Sequence, residues 1–181
     1  MTRDEAVSAI KENCGNKNLI KHMLATEAVM VGLSTRLGED TKSWALAGLL
    51  HDLDYEQTAD DPDRHGLVSA DMLLELGIGE EIIHAVKAHN EHVTRDSAMD
   101  RALYASDPVT GLIVASALMH PDKKLAALDV DFVMHRFKEK RFAAGASREQ
   151  IAACSELGLT LEEFIDVAIR AMQGISDELG L

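Results

Sequence analysis

Leu49-Leu50-His51-Asp52-Leu53-Asp54-Tyr55 stands where an apolar run, Ala45-Leu46-Ala47-Gly48-Leu49-Leu50, ends abruptly in adjacent histidine and aspartate. Asp52, Asp54, Glu56 and Asp60 then follow within a few positions. A carboxylate at the end of a buried helix is costly unless it is paired or bound to a metal. Imidazole nitrogen beside carboxylate oxygen suits a hard or borderline divalent metal. His51 and Asp52 are therefore read as two ligands of one metal, with further ligands drawn from elsewhere in the chain. The competing reading is a helix C-terminus with a histidine that favours the dipole and a solvated aspartate.

The composition around this stretch bounds the fold. At 181 residues the chain makes one domain, or one domain with an appended subdomain. Hydrophobic residues are 46% of it and aromatics only 4%, so the core is built from Leu, Ile, Val, Ala and Met. Proline is scarce, at three residues, and β-branched clusters are few, so an all-α fold follows. The formal charge of −13 argues against nonspecific nucleic-acid binding and against an anionic membrane surface. Cys14 and Cys154 form no CxxC pattern, which predicts neither a disulfide framework nor a thiolate zinc site. The charged N-terminus lacks an apolar h-region, and the apolar runs look too short to span a bilayer, so the cytoplasm is the expected compartment.

Working outward, Thr2 with Glu5 predicts a capped first helix to about Asn13. A second helix runs from about Asn18 to Leu37, with Leu19, Met23, Val29, Met30 and Leu33 on one face and Gly38 at its end. The third spans Lys42 to about Asp52, and Asp54 to Arg64 reads as a polar loop that rims the site. Helices follow at His65–Leu76, Glu80–His89 and Ala98–Met119, the last interrupted at Asp107-Pro108. Beyond Pro121 come helices over Asp131–Lys140, from a Ser147/Gln150 box to Leu157, and from a Thr160/Glu163 box to about Leu179. The organisation is thus an N-terminal helix in 1–16, a helical core in 17–120 and packed C-terminal helices in 121–181. The spread methionines read as core filler.

His22, His51, Asp52, His65, His89 and Asp107 lie in or near the ends of different helices, the adjacent pair excepted, as bundles do when they build metal sites from facing helices. The order His22, His51-Asp52, Asp107 resembles the HD-domain superfamily of metal-dependent phosphohydrolases. Ala47-Gly48-Leu49-Leu50 before the pair and Ala105-Ser106-Asp107 are similar to the family's local contexts. His65 and His89 fall where binuclear members carry extra ligands, and the resemblance covers about residues 18 to 115. Two departures stand out. Many members continue with Ile-Gly-Lys, where this chain has Leu53-Asp54-Tyr55, and some have a His-His pair where it has His89-Asn90. The Gly-Tyr-Pro motif of cyclic-di-GMP phosphodiesterases is absent after His89, which argues against that subgroup.

The resemblance implies an all-α helical bundle with one or two divalent transition ions, drawn from Fe, Mn, Co, Ni and Zn. His22, His51, Asp52 and Asp107 would hold the first; His65 and His89, sharing Asp52, the second. Two ions about 3.5–4 Å apart clamp a phosphoryl group and activate water. The expected function is hydrolysis of a nucleotide or other small phosphoester. The His65-Gly66 and His89 arrangement also resembles the subgroup that hydrolyses diadenosine tetraphosphate. Asp52, Asp54 and His92 are the candidate catalytic residues, the last two as proton shuttles; His92 also reads as an alternative ligand, and Asp54 as part of a solvated acidic loop, the reading preferred for it. Tyr55 either packs or meets substrate. Lys123-Lys124 and Arg136 to Arg141 either face solvent or replace the phosphate contact that the missing lysine would make. Two other classes share the ligand pattern: a di-iron oxygenase of the same superfamily and a regulatory domain that binds metal or nucleotide without turnover. A homodimer is the one candidate assembly.

Overall fold

Thr2 opens the first helix as its spacing to Glu5 predicts: its hydroxyl accepts from the Glu5 N–H, and the Glu5 carboxylate accepts from the Thr2 N–H. This computed structural model describes residues 1–181, and it holds helices and turns but no β-strand. In chain order the helices are α1 (Arg3–Asn13), α2 (Lys17–Leu37), α3 (Thr41–Leu50), α4 (Tyr55–Thr58), α5 (Leu67–Glu75) and α6 (Glu80–His89). Then come α7 (Ala98–Met119), α8 (Val130–Lys138), α9 (Arg148–Ala152), α10 (Leu161–Gln173) and α11 (Ser176–Leu179). Asn16 caps α2, Asp40 caps α3, and Gly38 leaves α2 at φ 77°, a conformation open to glycine.

Packing places the chemistry. α2 lies against α3, α7 and α10, while α6 lies against α3, α5 and α7. One core runs from Ala6 and Ile10 of α1 to Met172 of α10, with Trp44, Phe164, Met23, Met30, Leu33, Leu49 and Leu50 enclosed. Each such side chain contributes about 1.5–3 kcal/mol by leaving water. Where α2 crosses α3 the backbones touch. A Cβ on Gly48 would stand 2.8 Å from the Thr26 carbonyl oxygen and 2.9 Å from the Glu27 nitrogen. That close approach brings His22, one turn before Thr26, beside His51. Glu27, buried at the same crossing, is held by Arg3 in two contacts of 2.6 and 2.9 Å.

Several boundaries differ from the sequence reading. α3 ends at Leu50, and His51 is its C-cap. The segment after Asp54 is exposed, apart from Thr58, but it is not a plain loop: it forms α4 and a 3-10 turn at Pro62–Arg64, while Asp54 itself is fully buried. α5 starts at Leu67 because Gly66 adopts φ 82°, which no right-handed helix uses. Pro108 does not interrupt α7, which runs through it; the cost of an interior proline, about 3 kcal/mol, is outweighed by the packing of a long, buried helix. The last helix is divided, α10 stopping at Gly174 and α11 restarting at Ser176. α7 is also long and apolar enough to cross a membrane, contrary to the reading from run lengths, but 67% of that window is buried inside the protein.

Candidate metal centre

His51 is fully buried, and its Nδ1 lies 2.8 Å from the carbonyl oxygen of Gly48, three residues back on α3. A carbonyl only accepts, so Nδ1 carries the proton and Nε2 presents a lone pair. The other three histidines are fixed alike. His89 Nδ1 donates to the Val86 carbonyl of α6, and His65 Nδ1 donates to Asp54 Oδ1 at 2.9 Å. His22 Nδ1 meets Thr110 Oγ1 at 3.0 Å. The Thr110 hydroxyl donates to the Asp107 carbonyl at 2.9 Å, so its oxygen accepts from His22.

Four Nε2 lone pairs therefore converge. Those of His22 and His51 are 3.2 Å apart, and those of His65 and His89 are 3.1 Å apart. Asp52 stands among them, with Oδ2 3.5 Å from His22 and Oδ1 3.4, 3.3 and 3.6 Å from His51, His65 and His89. Asp107 Oδ1 is 3.0 Å from His22 Nε2 and 3.8 Å from His51 Nε2. Facing lone pairs repel unless a cation lies between them. Ligands about 2.0–2.1 Å from a tetrahedral ion stand about 3.3–3.4 Å apart, so this donor set fits divalent metal. His51, Asp52 and His89 make one tight group, and His22, His51 and Asp107 another, with Asp52 reaching both.

The electrostatics carry the same sign. Burial opposes the His51 imidazolium, but the charge of Asp52 and a hydrogen bond to Asp107 raise it to about 8. Burial likewise opposes the charge on His65, and Asp52 and Asp54 raise it to about 10. Against burial, His51, His65 and His89 hold the Asp52 carboxyl well below its ordinary value, and His22 and His51 do the same for Asp107. Protons on these rings stand in for metal charge. The cluster opens on one side: Asp107 is 31% exposed and His22 23%, while the His51 side chain is closed off.

Asp54 does not face this opening. Burial alone would raise its carboxyl, but bonds from His65 and Ser69 lower it. Its Oδ2 accepts from the Gly66 and Ser69 N–H groups at 2.8 Å each, and Oδ1 holds His65. It therefore positions a ligand from behind. His92 likewise turns to backbone: its Nε2 donates to the His65 carbonyl at 2.7 Å. Asn90 meets the same carbonyl at 3.0 Å and the Pro62 carbonyl at 3.1 Å, so the pair tether the turn that carries His65. Gly66 allows this docking, since a Cβ there would sit 3.1 Å from the Val86 carbonyl oxygen and 3.3 Å from the His89 ring. Tyr55 lies at the cleft lip, edge-on to the His65 ring at 5.4 Å. The basic residues 123–124 and 136–141 do not line the cleft; Arg136 is paired with Glu139 at 2.9 Å.

Sequence reasoning missed Thr110 and the carbonyls of Gly48 and Val86. Thr110, three residues after Asp107 on an apolar helix, was a readable signal; backbone acceptors leave none.

Residues 19–124 match the family model of the HD domain. Over 96 residues the chain is 32% identical to ribonuclease Y of Nitratidesulfovibrio vulgaris, covering 53% of this chain and 18% of that protein. Ribonuclease Y of Oleidesulfovibrio alaskensis is 31% identical over the same shares. The match thus spans less than a fifth, 18%, of the length of these ribonuclease Y relatives. An uncharacterised protein of Methanocaldococcus jannaschii is 25% identical over 149 residues, which is 77% of this chain and 86% of that protein. No solved structure matches.

Proposed function

Because this chain belongs to the HD-domain family, we propose that it is a metal-dependent phosphohydrolase acting on a nucleotide or other small phosphoester. One observation carries the reading: four histidines whose Nδ1–H groups are committed away from the centre, so that every Nε2 lone pair turns to Asp52. His22, His51, Asp52 and Asp107 would hold one ion, and His65 and His89, with Asp52 between, a second. Such ions polarise a phosphoryl oxygen and lower the pKa of water.

The chain's own part is orientation and the exclusion of water. Gly48, Val86, Asp54 and Thr110 aim the rings, and the buried side of the cluster excludes water. Asp54 and His92 are engaged with neighbouring groups, so neither reaches the open mouth, where His22 and Asp107 stand. The names of the ribonuclease Y relatives favour RNA as a second reading, while the charge of −13 weighs against a polyanion.

The test is metal analysis of protein purified without chelator, then a phosphoester panel that includes an RNA oligonucleotide, with Mn, Co and Ni. Hydrolysis of small phosphoesters, lost together with metal in Asp52→Ala, is the expected result. A folded protein that binds no metal would refute the reading. Oxygen uptake with a di-iron EPR signal and no hydrolysis would replace it with oxygen chemistry.

A further inference from the structure

The cleft in front of the metal cluster encloses about 630 Å³, the size of a small-molecule site. His22, Asp52, His65 and Asp107 form one wall. Ala143, Gly145 and Ala146 line the cleft as well, from the turn between α8 and α9, which lies outside the family-matched residues 19–124. The C-terminal helices thus complete the cleft as well as pack on the core.

One side chain sets the shape of that turn. Arg148 Nε donates to the Phe137 carbonyl at 3.0 Å, and Nη1 donates to those of Ala143 and Ala146 at 3.0 and 2.7 Å. Nη2 donates to the Phe142 carbonyl, with those of Arg136 and Glu139 at 3.4 Å. A guanidinium has five N–H donors and no acceptor, so Arg148 has none left for a substrate anion. Ala143 sits at φ 43°, a region that disfavours a β-carbon, so the turn's conformation is imposed by these bonds. Arg136 beside it is taken up by Glu139 and the faces of Phe132 and Phe142. The wall that results is short, uncharged and made of methyl groups and one glycine. A Cβ built on Gly145 meets nothing within 4 Å, so the space in front of it is open.

We propose that residues 143–146, shaped by Arg148, are the specificity-determining wall of this site, and that they select a phosphomonoester whose remainder is compact and uncharged. The inference rests on the phosphohydrolase reading above. Only the metal end of the cleft neutralises a phosphate, because no lysine or arginine lines the cleft. A second phosphate at the far end would lose water without gaining a partner, in a protein of net charge −13.

The experiment is calorimetry on the manganese-loaded full chain. Inorganic phosphate, a nucleoside 5′-monophosphate and a nucleoside 3′,5′-bisphosphate are titrated into the wild type, Gly145→Leu and Arg148→Lys. Phosphate should bind all three proteins within about twofold, since the metal wall is untouched. The monophosphate should bind both variants at least about tenfold more weakly, and the wild type should bind the bisphosphate at least about tenfold more weakly than the monophosphate. Thermal melts establish that each variant is folded, and Gly145→Leu carries the test if Arg148→Lys is not. If folded variants bind the monophosphate as the wild type does, or if the bisphosphate binds as well as the monophosphate, the wall is not selective and the inference falls alone. If the loaded wild type binds no phosphate at all, the phosphohydrolase reading fails, and this inference with it.

Discussion

Asp54→Asn changes one oxygen to an NH2 group, yet it should loosen half of the metal centre. The side chain is fully buried, with Oδ2 accepting from the Gly66 and Ser69 N–H groups and Oδ1 accepting from His65. An asparagine has one acceptor oxygen, and two backbone donors outnumber one imidazole, so the oxygen keeps the backbone and the amide nitrogen turns to His65. Two donors then face each other at 2.9 Å unless His65 gives up its Nδ1 proton. The neutral ring must carry that proton on Nε2, which destroys the lone pair aimed at Asp52. Partners behind ligating histidines are worth about 10–100-fold in metal affinity, roughly 1.4–2.7 kcal/mol. The backbone bonds survive, so the fold should lose only about 1–2 kcal/mol. Calorimetric titration with Mn(II), checked by elemental analysis, should show one ion held as before and a second weakened by that factor. Two ions bound with wild-type affinity would refute the reasoning, because His65 would then not depend on Asp54.

Gly48→Ala drives a methyl group into the backbone of α2 at 2.8–2.9 Å, where no flexible atom can yield. It should cost about 1–3 kcal/mol, lowering Tm by about 3–10 °C, and weaken metal binding by separating His22 from His51; a melt and a metal titration check both. The apoprotein's pH dependence has a defined sign. His51 at about 8 and His65 at about 10 lie above their ordinary 6.5, so their contribution to stability is fully present below pH 6.5 and is lost as pH rises through 8 and then 10. Tm in chelator should therefore fall from pH 6.5 to 10, while metal affinity should rise over pH 6–8 as protons leave the ligands; an apo Tm that climbs across this range would contradict the assignment.

The gathering of His22, His51, Asp52, His65, His89 and Asp107 is legible because imidazole and carboxylate at helix ends are conspicuous in an apolar bundle, above all His51-Asp52 after an apolar run. α6 and α7 are equally legible, since Gly79, Asn90, Ser97 and Pro121 bracket them. Asp54 is misread for a physical reason: an acidic stretch looks solvated unless one knows that Gly66 and Ser69 turn their N–H groups onto it from a distant helix start. His92 is misread because closeness to His89 in sequence does not say where a ring points after a helix has ended. The wall at 143–146 carries no chemical signal at all, being alanine and glycine. Only the reach of Arg148 to carbonyls up to twelve residues back reveals it.

The four rings differ in how far their anchors lie along the chain. His51 and His89 take theirs from carbonyls three residues back, so their aim is set once α3 and α6 have formed. His65 waits for Asp54, eleven residues away, and His22 for Thr110, eighty-eight away. Closing a longer loop carries a larger entropy cost, which grows slowly with its length. The entropy of closure thus falls unevenly on the centre, least on His51 and His89 and most on the α2–α7 side. A chain that folds in the presence of metal can draw on the ion's full grip only after its longest loop has closed.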